Sequence, residues 1–143
     1  MSKKRGILSI PGEIKIDEAY LFTRVSTIIE NRKYRAQTQA NQECVLMFWE
    51  VGKFIGSILL GGERAGYGKQ IVVTLAQQLQ KKYGSSFDYS NVTRMIKLAS
   101  RFPDVQIVAP LAQQLSWSHF TILLPLKSDN AFMFYAQDAI TRR

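Results

Sequence analysis

Arg94, Lys97 and Arg101 stand three and four residues apart. On a helix that spacing gathers their cationic groups on one face. Ser90 and Asn91 lie about a turn earlier, where a helix laid in a DNA groove makes its base-edge contacts. Arginine grips guanine through two hydrogen bonds and asparagine does the same with adenine, while lysine meets phosphate as a point charge. Lys69, Lys81 and Lys82 precede this cluster, and Lys3, Lys4 and Arg5 open the chain; all six are candidates for neutralising phosphate. The chemistry on offer is recognition of a polyanion, with DNA the expected partner.

The distribution of charge points the same way. The chain has 143 residues, with Lys+Arg 19, Asp+Glu 11 and a net charge of +8. Residues 68–101 hold six cations against Asp88, a net of +5, and residues 1–16 hold four against Glu13, a net of +3; residues 17–67 and 102–143 balance. A diffuse excess serves solubility, whereas one confined to a single stretch suits a polyanion-facing surface. The bland rival is a helix face that meets only water.

Bond-breaking chemistry has little to work with. One cysteine and one histidine exclude a disulfide, a thiolate zinc cage and a His-rich metal site. His119 has no second ligand nearby, so a structural role for its imidazole is expected. The glycine loop GGERAGYGK at 61–69 fails the phosphate-loop spacing, with Glu63 where glycine is needed and Gln70 where Ser or Thr is needed. Pro103-Asp104 resembles the first half of a PD-(D/E)XK metal-nuclease signature, but the only Glu-X-Lys triplet, Glu13-Ile14-Lys15, lies upstream. We therefore expect no catalytic residue, no metal and no cofactor.

The elements that must position the cationic face follow from periodicity. Residues 1–16 show none and read as a flexible basic arm; residues 17–143 read as a single helical domain. Asp17 suits a helix N-cap. Leu21, Phe22, Val25, Ile28 and Ile29 repeat at three and four, predicting an amphipathic helix over 18–35. Residues 36–43 leave open whether it continues. Residues 44–60 are apolar nearly all round, which suits a helix at the centre of its domain. Gly52 and Gly56 share a face there, where another helix is expected to approach closely. After the loop, 69–83 and 89–101 form two helices with Gly84 and Asp88 between them, a helix-turn-helix-like segment at about 69–101 that would send its second helix into a major groove. Val92, Met95, Ile96 and Ala99 point inward, with Leu98 beside the basic face. Pro110 is expected in the first turn of a short helix ending near Gln114. Short helices at 116–124 and 128–142 follow, and no sustained alternation of period two occurs. The fold class is all-α. Trp49 and Trp117 read as core or interface residues, and Cys44, beside an apolar run, as a small buried one.

The residues also carry a resemblance. Phe87-Asp88-Tyr89-Ser90-Asn91-Val92-Thr93-Arg94-Met95 resembles the phrase F-S-x-x-N-L-x-x-M, with Asp88 for Ser and Val92 for Leu. Gln114-Leu115-Ser116-Trp117-Ser118-His119-Phe120 resembles Q-L-S-W-S-H-hydrophobic, and Phe134-Tyr135-Ala136, Phe48-Trp49-Glu50-Val51-Gly52 and Tyr67-Gly68 resemble further landmarks in the same order. These are marks of the N-terminal domain of the YhcG-like family of PD-(D/E)XK nucleases, over about residues 17–143. The resemblance implies a helical DNA-binding domain ahead of a C-terminal nuclease domain. The chain stops at Arg143, before any such domain, so the expectation is a recognition half that is not itself an enzyme.

A rival reading is a protein-interaction or homodimerisation domain without nucleic-acid contact, its helices at 18–60 pairing between chains with Trp49 and Phe54 in the seam. The longest apolar run, residues 44–49, is far short of the ~20 residues of a membrane helix. No membrane partner is expected, and the location expected is the cytoplasm.

Overall fold

The computed structural model describes residues 7–9, 15–59 and 65–142. Lys3, Lys4 and Arg5, and the loop glycines Gly61 and Gly62, lie outside the described residues. The elements are two strands, β1 (Ile7–Ser9) and β2 (Lys15–Asp17), and six α-helices among those residues: α1 (Glu18–Leu59), α2 (Ala65–Tyr83), α3 (Tyr89–Arg101), α4 (Val105–Gln114), α5 (Trp117–Leu123) and α6 (Asp129–Thr141). The fold is all-α, as the periodicity indicates. No helix among the described residues is long and apolar enough to cross a membrane. The chain divides into two compact units, Met1–Thr38 and Gln39–Arg143.

In the first unit, β1 and β2 pair antiparallel, Ile7 opposite Asp17 and Ser9 opposite Lys15, so the stretch read as an arm carries a short hairpin. The Asp17 carboxylate accepts from Tyr20 N–H at 3.2 Å, capping α1. The helix then continues without a break through the polar stretch 36–43 that left the matter open, because that stretch holds good helix formers and neither Pro nor Gly. Leu21, Phe22, Val25, Ile28 and Ile29 form the expected stripe, yet all are exposed, between 46 and 73%.

The second unit holds the core. Val45, Trp49, Leu98, Phe102, Val108, Phe120 and Phe132 pack in one cluster, and Ile55, Val72, Ala76 and Val92 in a second. The last part of α1 is central to both. Gly52 allows this: a Cβ there would collide with the Met95 carbonyl and lie 2.8 Å from Ile96 N, so only glycine lets α3 approach so closely. Gly56 was expected to do the same, but nothing lies within 4 Å of where its Cβ would be. Trp49 donates its indole N–H to Phe102 O at 2.8 Å, and Lys53 Nζ donates to Pro103 O at 2.9 Å. Trp49 is thus committed to the core at 9% exposure, which removes it from any seam between chains; Phe54 stays 67% exposed. Burial pushes the Cys44 thiol pKa up.

Several boundaries differ from expectation. α2 starts at Ala65, so Gly66 and Gly68 belong to its first turn rather than to a loop. α4 starts at Val105, with Pro110 in its interior. Pro110 and Gln106 both face water, so the carbonyl that loses its helical partner is solvated. Leu98 is fully buried, because the cluster with Phe120 and Leu123 closes over that side of α3.

Candidate nucleic-acid interface

α3 is defined by local signals. Gly84 ends α2 at φ 109, a conformation that favours glycine. A 3₁₀ turn, Ser85–Phe87, follows, and the Asp88 carboxylate accepts from Asn91 N–H at 2.8 Å. α3 itself carries no acidic side chain. Val92, Met95, Leu98 and Ala99 turn inward. The opposite stripe, Ser90, Thr93, Arg94 and Lys97, is exposed.

That stripe, with Tyr89, forms one wall of a shallow groove of about 280 Å³; Thr121, Leu124 and Pro125 form the other. Arg94 and Lys97 make no hydrogen bond or ion pair with any described residue. An arginine and a lysine held free of carboxylates in a groove, with the Ser90 hydroxyl beside them, offer donors for phosphate and base edges; the Thr93 hydroxyl donates instead to Tyr89 O at 2.8 Å. Tyr89 and Thr93 were not singled out from the sequence. The signal for Thr93 was the spacing 90, 93, 94, 97, which completes the stripe; that for Tyr89 was its place one turn before Thr93.

Of the eight described residues expected to contact DNA, the groove brings together Ser90, Arg94 and Lys97. Lys69, Lys81 and Lys82 are exposed on α2 and do not line it. Lys81 and Lys82 occupy the last turn of α2, where cations are favoured by the free carbonyls, and Lys82 Nζ sits 5.3 Å from the Tyr83 ring centre.

Arg101 and Asn91 are engaged within the domain. Arg101 is on the expected stripe, but its side chain is only 14% exposed. Nη1 donates to Leu124 O at 3.0 Å and Leu126 O at 2.7 Å. Nε and Nη2 both donate to Asp129 Oδ1, at 3.2 and 2.9 Å, and the guanidinium lies 5.2 Å from the Phe132 ring centre. Four of its five N–H donors tie α3 to the α5–α6 connection and the start of α6. Asn91 is equally engaged. Its Nδ2 donates to Ser86 O at 2.7 Å and its Oδ1 accepts from the Trp117 indole N–H at 3.0 Å, leaving little for a base.

The phrases that carry the resemblance have structural work. The Asn91–Trp117 bond joins two of them. His119 Nδ1 accepts from Ser116 N–H at 3.1 Å and closes the start of α5, the structural role expected of it. Asp104, the carboxylate of the Pro103-Asp104 pair, accepts from Gln106 N–H at 2.9 Å as the cap of α4. Among the described residues no three His, Cys, Asp or Glu side chains gather where a metal could bind.

No curated protein and no solved structure matches the chain. A family model described as the DUF1016 N-terminal domain matches residues 24–143, a range that takes in the whole second unit and both phrases joined at Asn91 and Trp117. The chain belongs to the DUF1016 N-terminal domain family.

Proposed function

We propose that this domain binds duplex DNA through the outer face of α3, as the recognition module of a nuclease-type protein, with the chemistry supplied by a separate catalytic domain. The observation that carries the reading is the pairing of Arg94 and Lys97 in one groove, exposed and free of carboxylate partners, within the stretch that holds most of the chain's charge excess. Ser90 supplies a hydroxyl at the N-terminal end of the same stripe. α2, the five-residue link and α3 act as a helix-turn-helix, with Arg94 central to the groove contact and Lys97 on phosphate. Lys69, Lys81 and Lys82 add long-range attraction rather than fixed contacts. The association with a nuclease rests on the ordered phrases, and the domain acts in the cytoplasm.

The test is fluorescence-anisotropy titration with a short duplex at two salt concentrations, for the wild type and an R94A/K97A variant. Loss of two phosphate-neutralising cations lowers the slope of log K against log salt by about 1.8. An unchanged affinity and slope in a folded variant would overturn the reading.

A further inference from the structure

The apolar positions left exposed on α1 form two stripes, one in each unit. In the first unit Phe22, Val25 and Ile29 are 73, 46 and 50% exposed, and Lys33 and Ala36 continue their line. None of residues 16–38 is buried. A helix draws most of its stability from packing an amphipathic face, so this stripe lacks the cover its composition calls for. In the second unit Met47, Phe54 and Ile58 are 46, 67 and 59% exposed. With Val51, Leu75 and Leu79 they line a groove of about 640 Å³ between α1 and α2. Glu43 and Glu50 stand on its rim.

The two stripes match when one is read backwards. Phe22, Val25, Ile29, Lys33 and Ala36 are separated by three, four, four and three residues. Phe54, Val51, Met47, Glu43 and Ala40 descend by the same steps. We propose that a second copy of this chain covers both stripes, with α1 pairing antiparallel to α1 so that each copy's first stripe lies in the other's groove. Phe22 then meets Phe54, Val25 meets Val51, Ile29 meets Met47, and Lys33 meets Glu43, each contact made twice about a two-fold axis. Ala36 faces Ala40 at the centre, where small side chains let the helices approach.

Three observations favour this occupant. The charges are complementary at the one position where the apolar lines are interrupted, and neither Lys33 nor Glu43 makes an ion pair with a described residue. The acidic rim of the groove disfavours a lipid surface, which calls for cations. The surface is also of the right order. Phe22, Val25, Ile29, Met47, Phe54 and Ile58, the large side chains of the two stripes, are 46–73% exposed and offer on the order of 600 Å² per copy, most of the roughly 800 Å² per partner in a standard stable interface. None of these residues lines the α3 groove, so the inference is independent of DNA binding.

Sedimentation equilibrium of the full chain between about 1 and 100 µM tests it, a range suited to an interface of this size. The wild type is dimeric. K33E and E43K each weaken dimerisation at least about tenfold, since two symmetry-related pairs turn from attraction to repulsion, and K33E/E43K restores it. F54E is monomeric. All three sites are exposed, so circular dichroism reports an unchanged fold in the second unit. A monomeric wild type overturns the proposal. So does a dimer indifferent to the single reversals, or one that the double reversal fails to restore.

Discussion

Adding one methyl group at Gly52 and one at Gly56 should change stability in opposite directions. The two glycines are four residues apart on one helix, and each is disfavoured relative to alanine by about 1 kcal/mol in a helix interior. Gly56→Ala adds a methyl to open space, so that preference is realised and the protein gains about 0.5–1 kcal/mol. At Gly52 the new methyl would overlap the Met95 carbonyl and crowd Ile96 N. Those are backbone atoms of a packed helix and cannot turn aside as a side chain would. Separating α1 from α3 enough to admit a methyl costs about 3 kcal/mol, the upper end for overpacking, and the propensity gain offsets about 1 kcal/mol of it. The expected result is a net loss of about 2 kcal/mol for Gly52→Ala and a gap between the variants of about 3 kcal/mol. Urea titration followed by far-ultraviolet circular dichroism measures both, and in thermal unfolding the gap corresponds to roughly 10 °C for a domain of this size. Equal effects of the same sign would refute the close approach of α1 to α3.

Two further predictions follow from the core. Arg101→Met removes four hydrogen bonds that hold α3 to the α5–α6 connection; it should destabilise by about 2 kcal/mol, as for hydrogen bonds to charged groups, while DNA affinity measured on the folded fraction stays at the wild-type value. The Cys44 thiol, its pKa raised by burial, should react with an aromatic disulfide more slowly at pH 8 than a free thiol and speed up in denaturant. Because the unfolded chain releases that proton first, this group's contribution to stability is complete below the ordinary thiol pKa and is lost as pH rises through the folded one.

The sequence made the local structure legible because its signals act over a few residues. Gly84, Asp88, Ser116 and Ser128 lie at the element ends they mark, and the inward line of α3 follows from a period of 3.6. What was hidden depends on contacts far along the chain. Arg101 and Lys97 look alike in a helical projection; only the carbonyls of Leu124 and Leu126, more than twenty residues away, decide that one is buried in bonds and the other is free. Asn91 is withdrawn in the same way by Trp117. The stripe at 21–29 is a clear amphipathic signal, and periodicity cannot say whether its apolar side has a partner within the same chain. Gly52 and Gly56 share one pattern and differ only in what stands opposite.

The fastening of α3 bears on how it would meet a ligand. Its first turn is tied to α5 by the Trp117–Asn91 bond, its last turn to the α5–α6 connection by Arg101, and the residue that caps it, Phe102, to α1 by the bond from Trp49. The outer stripe is therefore presented on a backbone that is already ordered. Little conformational entropy remains to be lost on association, so encounter becomes a matter of diffusion and orientation, with no folding step to slow it. The same rigidity fixes the separation of the Arg94 and Lys97 anchoring points. The surface should then favour polyanions whose charge spacing is itself regular over those whose backbone is slack.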